Sequence, residues 1–223
     1  MSSEAQIIAL SVQVALLATL FILPAGVFFG WLLARKQFWG KSLLDALINI
    51  PLVLPPVVTG YFLLILLGPR GLLGGPLASY FGIQLAFSWY GAILAAGIVS
   101  LPLLVRSVRV AIEGVDQKLE DAARMLHARE LSIFREITLP LAINGIIAGI
   151  VLAFARALGE FGATIIFASN IPGKTQTIPI AIFTLINQPG GDEKVQRLVI
   201  ASILFAYLSM LLNELLIRRY HHA

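Results

Sequence analysis

Residues 5–34 read AQIIALSVQVALLATLFILPAGVFFGWLLA and contain no charged side chain. A second stretch, residues 71–105, is also free of Asp, Glu, Lys and Arg. A helix needs about 20 consecutive apolar residues to cross the roughly 30 Å hydrocarbon core of a bilayer, and both stretches are longer than that. These two stretches identify the chain as an integral membrane protein.

The composition of the whole chain agrees with this conclusion. Of its 223 residues, 58% are apolar and 13% are charged, and the mean hydropathy is +0.90. A soluble domain is about 45–50% apolar and about 25% charged, so soluble enzymes and DNA-binding modules are excluded. The chain has no Cys, which excludes disulfide scaffolds and thiolate metal sites. The net charge of +4 indicates basic loops beside a membrane, and we expect no nucleic-acid partner.

Uninterrupted apolar windows predict about five transmembrane helices in a single transmembrane domain of residues 1–223. Only helices or closed barrels satisfy every backbone polar group in lipid, and no alternating strand pattern is present, so the predicted fold is an all-α polytopic membrane protein. A further apolar stretch, Ile178–Ile186, is too short to cross and predicts an interfacial or re-entrant piece. The predicted spans are Ile7–Leu33, Ile48–Leu67, Leu85–Val105, Ile143–Phe167 and Leu198–Ile217.

The distribution of basic residues predicts the orientation. Most Lys and Arg residues lie after the first span, in the segment of residues 106–140 after the third span, and in the C-terminal tail. Lys and Arg collect in cytoplasmic loops of membrane proteins. We therefore expect the N-terminus outside, the C-terminus inside, and a cytoplasmic loop at about residues 106–140.

Two fragments resemble the end of a phosphate-binding loop, namely Gly40-Lys41-Ser42 and Gly173-Lys174-Thr175. The full pattern needs a further Gly five positions before the Gly of each fragment, where Arg35 and Ala168 stand instead. The chain therefore has no nucleotide-binding motif, and we expect ATP hydrolysis to belong to a partner subunit.

The histidines argue against catalysis inside the membrane. Intramembrane proteolysis would need a metal-binding His pair or a Ser with a general base within a span. The three histidines lie in the predicted loop and at the C-terminus, and they are His127, His221 and His222. We expect no enzymatic activity, no cofactor and no metal site.

The predicted cytoplasmic loop has a pattern that burial in lipid does not explain. Its apolar side chains recur at i, i+3, i+4 and i+7, which is one face of a short amphipathic helix, while Glu120, Asp121 and Arg124 point elsewhere. Either this face docks a partner protein or the helix lies on the membrane surface. The four residues of the face are Leu119, Ala122, Ala123 and Leu126.

Within this loop, Asp121-Ala122-Ala123, then His127, then Ile137, Leu139 and Pro140 resemble the cytoplasmic Glu-Ala-Ala loop of permease subunits of ATP-binding cassette importers. The resemblance implies that the loop forms coupling helices, which sit in a cleft of the partner ATPase and transmit its motion. Asp121 replaces the family's Glu and keeps the charge. His127 replaces a Gly at a turn where Gly could take positive φ, a conformation that His tolerates better than β-branched residues do. The residues assigned to coupling are Leu119, Asp121, Ala122, Ala123, Leu126, His127, Leu139 and Pro140.

The predicted fourth span carries ARALGEFGAT at residues 155–164, with Arg156 and Glu160 one helical turn apart. A charged pair inside a membrane is costly unless it faces a partner or water, so a functional role is one interpretation. An intrahelical ion pair that neutralises itself is an equal one. If the helix begins at Ile143, Arg156 lies near the middle of the membrane, where its guanidinium would attract an anion.

The stretch RALGEFGATIIFASNIPGKTQTIP, residues 156–179, resembles the permeases for tetrahedral oxyanions, most closely the molybdate/tungstate branch. This resemblance covers nearly the whole chain. It implies a homodimer in the lipid of the prokaryotic plasma (inner) membrane, two copies of a cytoplasmic ATPase, and an external oxyanion-binding protein. The candidate pathway residues are Arg156, Glu160, Thr164, Ser169 and Asn170.

The predicted function is thus a permease subunit for molybdate or tungstate import by alternating access. A sulfate/thiosulfate permease of the same superfamily is the alternative within the family. A secondary transporter is the alternative outside it, and such a protein would need no docking loop and commonly shows repeated halves.

Two local patterns concern helix packing. The prolines at 51, 55 and 56 interrupt the second predicted span and favour a kink there. Gly26 with Gly30 and Gly145 with Gly149 are small-xxx-small pairs, which are typical of closely packed membrane helices.

Overall fold

The computed structural model describes residues 3–221, and every regular element in that range is helical. His222 lies outside the described residues. The all-α prediction is therefore confirmed for the described chain. The elements are α1 (Glu4–Arg35), α2 (Lys41–Val53), α3 (Pro56–Leu67), α4 (Gly74–Phe81), α5 (Trp89–Glu113), α6 (Gln117–Met125), α7 (Glu130–Ile133), a π-helical turn (Phe134–Thr138), α8 (Leu139–Leu158), α9 (Gly162–Phe167), α10 (Ile178–Ile186) and α11 (Asp192–His221).

Helix α5 is the centre of the fold and contacts α1, α8, α9, α2 and α3. The predicted glycine pairs lie where α1 and α8 pack against α5. A Cβ added at Gly30 would lie 2.6 Å from Val108 Cγ1, and one at Gly149 would lie 2.8 Å from Ser107 Cβ. These distances leave no room for a side chain, so the glycines set how closely α1 and α8 approach α5.

Four helices of the described chain are long and apolar enough to cross a membrane: Glu4–Arg35, Trp89–Glu113, Glu130–Leu158 and Asp192–Leu211. The second predicted span, Ile48–Leu67, is not one straight helix. It is the bent pair α2 and α3, whose axes meet at 114°. The break falls at Leu54 and Pro55, so the predicted interruption is confirmed for Pro55 and Pro56. Pro51 lies inside α2 and does not end that helix.

The fourth predicted span, Ile143–Phe167, also requires correction. In the structure, α7, the π-helical turn and α8 follow one another as one helical span, which begins at Glu130 and ends at Leu158. Residues 159–161 form a break before the short helix α9. Arg156 therefore lies in the last turn of α8 and not at the midpoint of a helix, because the span starts and stops earlier than its apolar window.

The π-helical turn has a local cause in the sequence. Pro140 has no N–H group, and its ring crowds the carbonyl four residues earlier. The turn immediately before it is wider, and the Leu139 N–H bonds to the Phe134 carbonyl five residues back. Such turns interrupt helices mostly as single turns and are frequent at functional sites.

Two groups of contacts between helices lie near the opposite ends of α1. At one end, Arg35, the last residue of α1, bonds to Glu120 of α6 and to the Val115 carbonyl just before α6. We call this the coupling end, after the role predicted for α6. At the opposite end, Glu4 pairs with Arg197 of α11, and the predicted re-entrant piece appears as α10, whose Ile178 N–H donates to Ser11 Oγ at 2.7 Å. The 32 residues of α1 separate these ends by about 48 Å at 1.5 Å per residue.

Candidate functional site

Helix α6 has well-defined ends. The Asp116 side chain caps its N-terminus by accepting from the Lys118 N–H at 2.9 Å. At its C-terminus, the His127 N–H donates to the Arg124 carbonyl and the Ala128 N–H donates to the Ala123 carbonyl, at 2.9 and 3.1 Å. This pair of bonds is a Schellman motif, and it fixes how the chain leaves the helix.

His127 occupies the left-handed position of that motif, with φ of 61°. Gly is the usual residue there because it lacks a Cβ. His127 thus adopts the positive φ that a Gly could take at this turn, and both hydrogen bonds of the motif are formed.

Three of the four residues of the predicted apolar face of α6 are exposed within this chain, and the fourth, Ala123, is half-buried. The side chains of Leu119, Met125 and Leu126 are 49%, 76% and 84% exposed, and Ala122 is exposed beside them. We call Leu119, Ala122, Met125 and Leu126 the docking surface. An exposed apolar patch of this kind fits both expectations for the loop, a docked partner protein or the membrane surface.

The buried residue of α6 is an acid, Glu120, which is 2% exposed. Its Oε1 accepts from the Arg35 Nε of α1 at 3.0 Å and from the Thr138 Oγ1 of the π-helical turn at 2.8 Å. Arg35 Nη2 also donates to the Val115 carbonyl at 2.9 Å. The periodicity of the loop did not predict this cluster, because it placed Glu120 only off the apolar face and because Arg35 lies 85 positions away in the sequence.

Arg124 ties the end of α6 to α7. Its Nε donates to Glu130 Oε1 and its Nη1 donates to Asp121 Oδ1, both at 2.7 Å. The hydrogen bond to Glu130, followed by that to Asp121, raises the pKa of the Arg124 guanidinium, so Arg124 stays charged. These groups are exposed to solvent, and such pairs contribute only about 0–1 kcal/mol each.

The remaining coupling residues lie at the base of α8. Leu139 packs partly buried against the core around α5, and Pro140 is exposed in the first turn of α8. Ala123 is half-buried. The residues predicted to couple the chain to an ATPase therefore lie in two places. Most lie on or directly after α6, and Leu139 and Pro140 lie in the first turn of α8.

The second candidate site lies at the break between α8 and α9. Arg156 Nη1 and Glu160 Oε2 are 2.7 Å apart, and Glu160 Oε1 accepts from the Ala163 N–H at 2.8 Å. The Glu160 side chain is 1% exposed and that of Arg156 is 28% exposed. The intrahelical ion pair is formed, and the partly exposed guanidinium keeps N–H donors that can reach water or an anion. The functional role of the pair stays a prediction.

The other predicted pathway residues are in different environments. Thr164 is buried in α9. Ser169 has φ of 66°, and its carbonyl accepts from Thr175 Oγ1. Asn170 donates to Thr184 Oγ1 at 2.9 Å and accepts from Gln176 Nε2 at 3.1 Å. Ser169 and Asn170 thus belong to a hydrogen-bonded loop at the opposite end, and the loop's other polar members were not predicted.

Close packing holds the break in place. A Cβ added at Gly60 of α3 would lie 2.7 Å from the Ala163 carbonyl oxygen. A Cβ at Gly162 would lie 2.9 Å from Pro56 Cβ. Helix α9 therefore rests directly on the backbone of α3, the second half of the bent pair.

The chain is similar to known proteins over nearly its whole length. Residues 26–222 match the family described as binding-protein-dependent transport system inner membrane component. The chain is 58% identical over 215 residues to the molybdenum transport system permease protein ModB of Escherichia coli (strain K12), across 96% of this chain and 94% of that protein. It is 36% identical over 196 residues to the sulfate transport system permease protein CysT of Salmonella typhimurium, across 86% of this chain and 70% of that protein.

A solved structure shows the same fold. The crystal structure of a bacterial ABC transporter involved in the import of the acidic polysaccharide alginate matches with a TM-score of 0.74 at 16% identity, across 98% of this chain and 80% of that chain. At this identity the likeness concerns the fold alone.

Proposed function

The chain belongs to the family of binding-protein-dependent transport system inner membrane components, and on this basis we propose that it is the membrane-spanning permease subunit of an ATP-driven molybdate importer. It is a multi-pass protein of the bacterial inner membrane. The observation that carries the proposal is the 58% identity to the Escherichia coli molybdenum permease over 96% of the chain. The sulfate permease of Salmonella typhimurium is more distant, at 36%, which favours molybdate over sulfate.

The docking surface on α6 would receive a separate ATPase. Its exposed leucines and Met125 would become buried on association, and burial of one such side chain contributes about 1.5–3 kcal/mol. In this proposal the chain itself catalyses no reaction, and ATP is hydrolysed by the partner. The coupling end would then face the cytoplasm, an orientation supported by its basic residues.

A change at Leu126 tests the docking surface. Because Leu126 is 84% exposed within the chain, Leu126→Asp should leave the fold intact but place a charge in the interface. We expect the ATPase to lose at least about a hundredfold in affinity, which co-purification will detect. Leu72→Asp is the matched control, because Leu72 is a 76% exposed leucine in the loop between α3 and α4. Equal co-purification of the Leu126 variant and the control would remove the docking surface from the proposal.

Association of two copies of this chain is part of the proposal. The described part of α11 buries little of its apolar surface, and its exposed side chains include Ile200, Ile203 and Leu204. Four or five spans are few to enclose a hydrophilic route. A homodimer with two ATPase copies and an external oxyanion-binding protein would provide that enclosure, and the mass of the purified complex tests this stoichiometry.

Arg156 would supply positive charge along the pathway. Its guanidinium is partly exposed, and Glu160 neutralises it while no anion is bound. Ser169 and Asn170 would lie nearer the outer entrance. Thr164 would be reached only after α9 moves away from α3, because its side chain is buried in this conformation.

Reconstitution tests the whole proposal. The complex of this chain, its ATPase and an external binding protein is placed in liposomes, and radioactive molybdate uptake is measured with ATP. We expect uptake only when all three proteins and ATP are present, with tungstate as a stronger competitor than sulfate. Uptake by this chain alone under an ion gradient would establish a secondary transporter. Stronger competition by sulfate would establish the sulfate/thiosulfate alternative.

A further inference from the structure

We propose that Glu120 is a positioning residue that transmits the movement of α6 to α1 and α8, and this inference rests on the function proposed above. Glu120 lies on the side of α6 away from the docking surface and is its buried residue. One carboxylate oxygen, Oε1, accepts from both Arg35 and Thr138. A single atom of α6 therefore connects it to two of the helices that span the membrane.

The two hydrogen-bond partners of Glu120 lie at the ends of long helices. Arg35 is the last residue of α1, and Thr138 immediately precedes α8. Arg35 is held a second time by the Val115 carbonyl, which lies just before α6. Displacement of α6 would therefore displace the ends of α1 and α8, and both helices pack along α5.

Burial makes this connection stiffer than the other contacts of α6. The side chains of Arg35 and Glu120 are 7% and 3% exposed, so water does not compete for their hydrogen bonds. Charge-assisted hydrogen bonds of this kind are short and directional. The bonds from Arg124 to Asp121 and Glu130 are exposed, and solvent can replace them when the loop moves.

The geometry also explains why an acid occupies a buried position on α6. An apolar residue there would pack against its neighbours, but it would leave the Arg35 guanidinium buried without its carboxylate partner. Apolar contacts are non-directional. The carboxylate instead fixes the register of α6 relative to α1 and the π-helical turn.

The test separates coupling from assembly. The complete complex carrying Glu120→Gln is placed in liposomes, and molybdate uptake and ATP hydrolysis are measured per assembled complex. The docking surface is unchanged, so the ATPase should still co-purify. We expect the number of molybdate ions imported per ATP hydrolysed to fall by about tenfold or more, because Arg35 loses its charged partner.

Three further variants test whether the lower ratio of molybdate imported to ATP hydrolysed results from the hydrogen bonds of Glu120. Thr138→Val removes the hydroxyl donor at nearly constant volume and should lower the ratio by a smaller factor. Glu120→Asp keeps the charge and should recover part of the ratio lost in Glu120→Gln. Glu113→Gln is the control, since Glu113 also pairs with an arginine on the coupling side, but its side chain is 46% exposed.

Each outcome decides the proposal. A wild-type ratio in Glu120→Gln would overturn it. Parallel loss of assembly, hydrolysis and uptake at an unchanged ratio would also overturn it, because that result indicates only a structural role. Failure of the wild-type complex to import molybdate with ATP would instead refute the proposed function.

Discussion

The packing of α9 on α3 predicts a specific cost for one added methyl group. In Gly60→Ala, the new Cβ would lie 2.7 Å from the Ala163 carbonyl oxygen and 2.8 Å from Ala163 Cα. Both are backbone atoms, so no side-chain rotation relieves the contact. The two helices must separate by roughly 0.5–1 Å to restore an ordinary contact distance. Overpacking of this size costs about 1–3 kcal/mol.

A matched glycine isolates this cost. Gly75 in α4 has only the Pro69 carbonyl oxygen nearby, at 3.6 Å from the added Cβ, which is an ordinary contact. Both substitutions gain helix propensity, up to about 1 kcal/mol, from replacing Gly with Ala. Comparison of Gly60→Ala with Gly75→Ala therefore largely cancels that gain and leaves the overpacking.

Thermal unfolding of the purified variants in detergent measures the difference. A change of 1 kcal/mol shifts Tm by about 2–4 °C in a chain of 150–250 residues, so Gly60→Ala should melt about 2–12 °C below Gly75→Ala. Molybdate uptake should fall in parallel, since moving α9 lengthens the Ala163–Glu160 hydrogen bond. Equal melting temperatures in the two variants would refute direct backbone packing of α9 on α3.

The remaining predictions concern the ion pair and the end of α6. Arg156→Gln should destabilise the protein by about 3–5 kcal/mol because it leaves the buried Glu160 carboxylate without its cation. Glu160→Gln should cost less, since the Arg156 side chain is 28% exposed and can reach water, and the double variant should be more stable than Arg156→Gln alone. Melting temperatures decide the order, and an equal loss in the two single variants would contradict it. At His127, with φ of 61°, Val should destabilise the turn by about 1–2 kcal/mol relative to Gly. Faster hydrogen exchange at the Ala128 amide of the Val variant would report this change, and equal exchange in Val and Gly variants would contradict it.

Much of the fold follows from local features of the chain. The charge-free stretches 5–34 and 71–105 predicted α1 and α5, and the prolines at 55 and 56 predicted the break between α2 and α3. The positions of the paired glycines predicted close helix contacts. The angle of 114° between α2 and α3 was not predictable, because it depends on how α3 packs against α9 and α5.

The candidate site was predicted unevenly. The apolar face of α6 and the positive φ at His127 followed from periodicity and from the resemblance to a known loop. The Glu120 cluster did not, because a charged residue in an amphipathic helix is ordinarily solvated. The prediction that Arg156 lies within one continuous helix over residues 143–167 was wrong, since an apolar window does not reveal that the helix ends at Leu158.

The sequence alone determined that this chain spans a membrane as helices and presents an amphipathic segment between two of its spans. Those properties depend on hydropathy and on repeats within one helical turn or a few, so neighbouring residues suffice to predict them. The burial of Glu120 between Arg35 and Thr138, and of Glu160 at the break beside α3, became evident only from the packing of the helices. Each of these environments is formed by residues from different helices, and burial of a charge is stable only where distant segments supply its partners.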